Sequence, residues 1–241
     1  MHDFDLPAVA DGRSRKADFT GHRPVLFTFG SLTDPMTASA GAALKRLHRA
    51  YGEAVAFVTV YVREAHPGDH VPQPSTFEEK MRNARVLRAR DGLPWTVAVD
   101  DLDGGFHRAL GANSNAAHLM DLNGNVAFRT LWSNDERVLR PALEAAASGR
   151  SDHPYQRERR VVPIALGLAR VEEVVGAAGP GALEDLRREA PLVWAAAEVA
   201  YVWRALTPAA RVAAVAASAA VAAGLYAGLR WALRPARPRR A

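Results

Sequence analysis

The chain has 241 residues, 49% of them hydrophobic and 24% charged, ordinary proportions for a protein able to bury a core. It contains no cysteine, which excludes disulfides, dithiol redox cycling within the polypeptide and thiolate metal sites. The formal net charge of +5 is unevenly placed: residues 1–150 carry 18 Lys/Arg against 18 Asp/Glu, whereas from Val199 onward there are seven arginines and no acid. A basic terminus of this kind points to anionic lipid before it points to nucleic acid.

Residues 1–24 are polar and of mixed charge, with no apolar run of the kind a secretory signal needs, so the folded part is expected in the cytoplasm. An apolar run at 25–29 followed by Gly30 predicts a strand entering a loop, and 36–51 carries helical spacing. The long β-branched and aromatic run 54–62 predicts the central strand, because parallel strands covered on both faces read as continuous apolar stretches. Ser75 and Glu78 form a predicted capping box opening a helix to about Arg90. A strand at 95–99 and a short helix at 104–110 follow. Asn123-Gly124 between the apolar runs 117–120 and 126–130 predicts a hairpin. A capped helix from about 133 to 148 contains Pro141, where a kink is expected. This order predicts an α/β, thioredoxin-like domain over 1–150, with a mixed sheet flanked by helices.

Beyond it, 151–206 reads as a linker and helical extension, and 207–241 as a transmembrane anchor with a basic tail. The run 212–229 has no charge over 18 residues, the usual threshold for a span, with Tyr201, Trp203 and Trp231 placed like interfacial anchors. The competing reading is an alanine-rich helix buried in the fold or lying on its surface. The arginines that follow argue for a cytoplasmic carboxyl terminus, which one span cannot reconcile with a cytoplasmic domain. A second crossing at 192–203 is disfavoured by its length and by Glu198, so a single carboxyl-terminal anchor is preferred. Ala220, Gly224 and Gly228, four apart, have the small-residue spacing of a helix dimer, hence a possible homodimer.

Two segments carry the chemistry: Gly30-Ser31-Leu32-Thr33-Asp34-Pro35 and Tyr61-Val62-Arg63-Glu64-Ala65-His66-Pro67-Gly68-Asp69. Together they resemble the signature segments of the iodothyronine deiodinase family, a selenoenzyme branch of the thioredoxin-like proteins. In that family the first segment reads Gly-Ser-Cys-Thr-selenocysteine-Pro. Here Leu32 replaces the cysteine and Asp34 the selenocysteine. The resemblance implies catalytic positions at Asp34, Glu64 and His66, and substrate-handling positions at Ser31, Thr33, Tyr61 and Asn115. Asn115 falls where the family carries the proline beside the reactive group.

A carboxylate has no redox cycle of the thiolate or selenolate kind. Asp34 is therefore expected to cap the helix that follows, or to pair with His66 for acid–base work if the two are in reach. His66, Asp69 and His70 resemble a small metal cluster, but a five-residue Pro-Gly loop rarely preorganises one, and no metal is expected. No cofactor is expected either: Gly179-Pro180-Gly181 lacks the Lys-Ser/Thr of a phosphate loop, and no nucleophilic serine elbow is present.

Three functions follow. The first is a redox-inactive binding or scaffolding protein at a membrane, with a small aromatic ligand or a protein partner. The second is an oxidoreductase of the same family that borrows a thiol or a cofactor. The third is a hydrolase or lyase using Asp34 and His66.

Overall fold

Alternation along the apolar strands decides which side chains meet which helices. The computed structural model describes residues 3–10, 12–150 and 160–232. Strand β3 (Val25–Gly30) turns Leu26 toward one core cluster and Val25, Phe27 and Phe29 toward another. Strand β4 (Ala56–Tyr61) divides in the same way, with Phe57 and Tyr61 on the first face and Val58 and Val60 on the second. Both faces are thus covered, as a central parallel pair requires.

The main sheet also holds β5 (Thr96–Val99), β6 (Ala117–Met120) and β7 (Val126–Thr130), in the order β5-β4-β3-β6-β7. Strands β3, β4 and β5 run parallel, while β6 is antiparallel to both β3 and β7. The predicted central strand is thereby corrected. The centre is β3, and β4 lies one place nearer the β5 edge. Every residue of both strands is buried, so the length of an apolar run cannot distinguish them.

Helices α1 (Pro35–Tyr51), α2 (Phe77–Asp91) and α4 (Glu136–Ala147) cover the first face. A two-stranded ribbon, β1 (Asp5–Pro7) with β2 (Arg13–Arg15), and the short helix α3 (Gly105–Ala109) cover the second with Phe4, Leu6 and Phe106. The turn between β6 and β7 falls at 121–125, with Gly124 at φ +77° as the Asn-Gly pair predicts. Pro141 lies inside α4. The capping box of α2 sits one residue later than predicted. Thr76 Oγ1 accepts from the Glu79 N–H at 3.2 Å, and Glu79 Oε2 accepts from the N–H of Thr76 at 3.2 Å and of Ser75 at 2.8 Å. Adjacent Ser-Thr and Glu-Glu pairs both satisfy the spacing, so spacing alone could not choose.

The carboxyl-terminal helices are α5 (Val161–Leu168), α6 (Val171–Ala178), α7 (Pro180–Glu189), α8 (Pro191–Val202) and α9 (Pro208–Ala232). Helix α5 packs on α1, on α8 and on α9. Its Gly167 admits Met36, whose Sδ lies 2.0 Å from where a Cβ would stand. Asn134, 4% exposed, ties three elements by donating to Ser39 Oγ at 2.8 Å and to the Pro163 carbonyl at 3.0 Å. Val171, Val175, Ala182 and Leu186 build a small core of their own, against which Val71 packs. Residues 151–159, within the predicted linker and helical extension 151–206, and the arginine-rich stretch 233–241 lie outside the described residues.

Among the described residues one helix, α9, is long and apolar enough to cross a membrane. Its window Ala209–Tyr226 has a mean hydropathy of 1.5 and is 6% buried, unlike the core helix of a soluble fold.

Candidate functional site

The carboxyl ends of β3 and β4 lie side by side, with Gly30 paired to Tyr61, so the two signature loops leave the sheet together. Asp34 is the N-cap of α1 and Pro35 its first residue, an arrangement in which the missing proline N–H costs nothing. Asp34 Oδ1 accepts from the Met36 N–H at 2.9 Å, and Oδ2 accepts from Thr37 Oγ1 at 2.9 Å. With its amide nitrogen turned inward, Asn115 also donates to Asp34 Oδ2, and to the Ser114 carbonyl at 3.2 Å. Asp34 is 3% exposed. Burial pushes its carboxyl up to about 6, against the pull of the Met36 and Thr37 hydrogen bonds, and the Glu64 charge adds to the rise.

Glu64 ties the loops together. Its Oε2 accepts from the Thr33 N–H at 3.0 Å and from the Thr33 hydroxyl at 2.8 Å. Its Oε1 accepts from the Tyr61 hydroxyl and from Asn83 Nδ2 at 3.2 Å. Tyr61 is fully buried and receives the Leu32 N–H at 3.2 Å, while burial and the neighbouring Glu64 charge raise its phenol. Ser31 Oγ accepts from the Ala65 N–H at 3.2 Å, and Thr33 Oγ1 from the His66 N–H at 3.1 Å. Ser31 and Thr33 are each 1% exposed.

The structure therefore brings Ser31, Thr33, Asp34, Tyr61, Glu64 and Asn115 into one connected polar cluster. His66 joins it through its backbone. Among the described residues no hydrogen bond links the His66 ring to Asp34, so the acid–base pair considered from sequence is not assembled. The half-buried His66 ring is held below its ordinary pKa by desolvation. Among the described residues no group of three His, Cys, Asp or Glu side chains is placed to hold a metal ion. Asp69, one member of the cluster considered from sequence, instead receives the Gly181 N–H at 2.9 Å.

Sequence reasoning missed several supports. Thr37 accepts from the Ser31 N–H at 3.3 Å while donating to Asp34, and its position three residues after the cap was a readable signal. Gln73 accepts from the Glu64 N–H at 3.0 Å, and Arg90 donates to the Leu32 carbonyl at 2.6 Å. Neither carries a sequence signal, because the chain fold alone brings them there. A groove of about 500 Å³ opens elsewhere, between β1, the start of α2 and α3, with Phe4, Leu6, Phe77 and Phe106 in its wall and Asp5 and Asp101 beside them.

Strand order, strand senses and helices on both faces define a thioredoxin-like α/β protein, whose loop after the first central strand meets the loop after the second. An uncharacterized conserved protein from Geobacillus kaustophilus superposes on it with a TM-score of 0.52, covering 65% of this chain and 84% of that one at 20% identity.

Within this class the chain is deiodinase-like: residues 10–128 match the family described as iodothyronine deiodinase. Thyroxine 5-deiodinase of Gallus gallus is 32% identical over 111 residues, covering 42% of each chain. The Sparus aurata enzyme of that name is 31% identical over 102 residues, covering 38% of each. The match to those relatives spans about two-fifths of their length, and the family match ends at residue 128, before α4 and the carboxyl-terminal helices.

Proposed function

We propose that this deiodinase-like thioredoxin-fold protein is a redox-silent binding or scaffolding protein, anchored to a membrane by α9. The observation that carries the reading is the use the fold makes of Asp34. The residue at the reactive position is 97% buried and spends both oxygens on Met36, Thr37 and Asn115. A carboxylate engaged in this way is a helix cap, not a soft nucleophile. The absence of cysteine removes any resolving thiol from the chain itself. Ligand binding then falls to surfaces other than the closed loop junction, and the aromatic-walled groove beside β1 supports an aromatic small molecule as ligand.

The test is a thiol-dependent reductase and deiodinase assay on the full chain, beside an Asp34→Cys variant. Wild type is expected to be silent. Turnover by the variant with added thiol would locate the lost chemistry at position 34. Turnover by wild type would overturn the reading and favour an oxidoreductase that borrows a partner thiol.

One observation favours a second reading, an acid–base hydrolase or lyase. Burial brings the Asp34 carboxyl to about 6, where it exchanges protons near neutrality. On that reading an Asp34→Asn variant loses all turnover of a candidate ester or amide, and wild-type turnover bends near pH 6.

A further inference from the structure

Exposed large apolar side chains concentrate at one end of this chain. Val161 and Ile164 on α5, Leu192 and Val202 on α8, and Trp203 and Leu206 in the elbow after it are all exposed, Leu192 by 84% and Val202 by 68%. Helices α5 and α8 are elements that pack against α9, and the elbow leads directly into it.

The length of α9 makes this placement matter. Its first turns are partly covered: Arg211 is buried, and Val212, Ala214, Val215 and Ser218 are half-covered, whereas every residue from 219 to 226 is exposed. The uncharged run ends at Leu229, so its part beyond 218 is about 16 Å long at the helical rise of 1.5 Å per residue. The hydrocarbon core of a bilayer is about 30 Å thick. A domain held clear of the surface would leave half that thickness uncrossed. The covered turns must enter as well, and they carry α5 and α8 with them.

The elbow is also rigid. The Arg211 guanidinium donates to the carbonyls of Trp203 at 3.3 Å, Arg204 at 2.5 Å and Leu206 at 3.0 Å, which fixes the angle between α8 and α9. Arg204 lies 4.0 Å over the Tyr201 ring, so arginine, tyrosine and tryptophan share one level, the composition of a membrane interface. No acid follows Glu198 to oppose anionic headgroups.

We propose that the exposed apolar faces of α5 and α8, with the elbow between α8 and α9, form a lipid-docking surface seated in the bilayer interface around the root of α9. The proposal rests on the reading of α9 as an anchor, and its test separates the two. The cysteine-free chain allows single labels on the full-length protein: Val161→Cys, Leu192→Cys and Trp203→Cys on the surface, Val221→Cys on α9, and Val86→Cys on the remote face of α2. Each carries an environment-sensitive fluorophore in vesicles of phosphatidylcholine and phosphatidylglycerol, with thermal melting as a check on folding.

Labels at 161, 192 and 203 are expected to shift to the blue and to be quenched by headgroup-level nitroxide lipids. The label at 221 should be quenched by deep nitroxides, and that at 86 only by aqueous iodide. If 221 reports lipid while 161, 192 and 203 report water, the docking surface is overturned and α9 is a bare tether. If 221 also reports water, the anchor itself fails and the proposal with it. A blue shift without vesicles that grows with protein concentration assigns the surface to a second copy and overturns the lipid proposal.

Discussion

At the scale of single residues, Asp34 makes a prediction that depends on sign. Its carboxyl titrates near 6 in the fold and near 3.8 when unfolded, so the folded state holds the proton more tightly. Folding is then favoured below the lower value, loses stability as pH rises between the two, and is flat above about 6. An Asp34→Asn variant lacks this loss. The stability difference, variant minus wild type, should climb between about pH 4 and 6 and then level off, measured by denaturant unfolding at each pH. A difference independent of pH would show that folding leaves the Asp34 pKa unshifted. Asp34→Ala should instead cost about 1 kcal/mol as a lost cap, and more where Thr37 and Asn115 are left without an acceptor. The sequence announced Asp34 as a cap, and Glu64 stood only as a position the resemblance implied. It could not announce Asn83, Gln73 or Arg90, which stand nineteen, nine and fifty-eight residues from their partners and meet them only through the fold.

At the scale of elements, periodicity and turn chemistry located most strands and helices, while order in the sheet stayed hidden. Nothing local distinguishes β3 from β4, since both are covered on two faces, and only pairing with β6 makes β3 central. Helix α7 shows a different limit of sequence reading. Its N-cap is Gly179, which has no side chain to offer, and Asp69 supplies the missing carboxylate from 112 residues away. The Asp69 carboxylate thus serves the helix N-terminus where local sequence provides nothing. An Asp69→Ala variant should lose about 1 kcal/mol of local stability. Hydrogen exchange should quicken roughly fivefold or more at the start of α7 and at His70 and Val71, and remain unchanged in β3. Equal quickening in β3 would mean that Asp69 supports the whole fold.

At the scale of the molecule, the matched segment and the carboxyl-terminal helices are joined through the signature loop itself. The His70 and Val71 N–H groups donate to the Ala178 carbonyl at 2.8 and 3.2 Å, and α5 lies along α1 with Gly167 against Met36. A chain ending at residue 150 strips both supports. It is expected to melt roughly 2–4 °C or more below one ending at residue 206, consistent with a loss of about 1 kcal/mol or more in a domain of this size. Coincident melting would show that the extension is carried without contributing. The docking of these helices was not legible in the sequence, because partners such as Asn134 with Pro163 and Asp69 with Gly181 meet only through the fold.

Gly68 gives that docking a consequence for how the chain can vary. A Cβ there would stand 2.5 Å from the Ala178 carbonyl and 2.8 Å from the Ala182 side chain. The second signature loop and the junction of α6 and α7 are therefore not free to drift apart. A side chain at position 68 is admissible only where the junction of α6 and α7 is reseated, so in this protein a change at the loop calls for a compensating change in the helices seated on it.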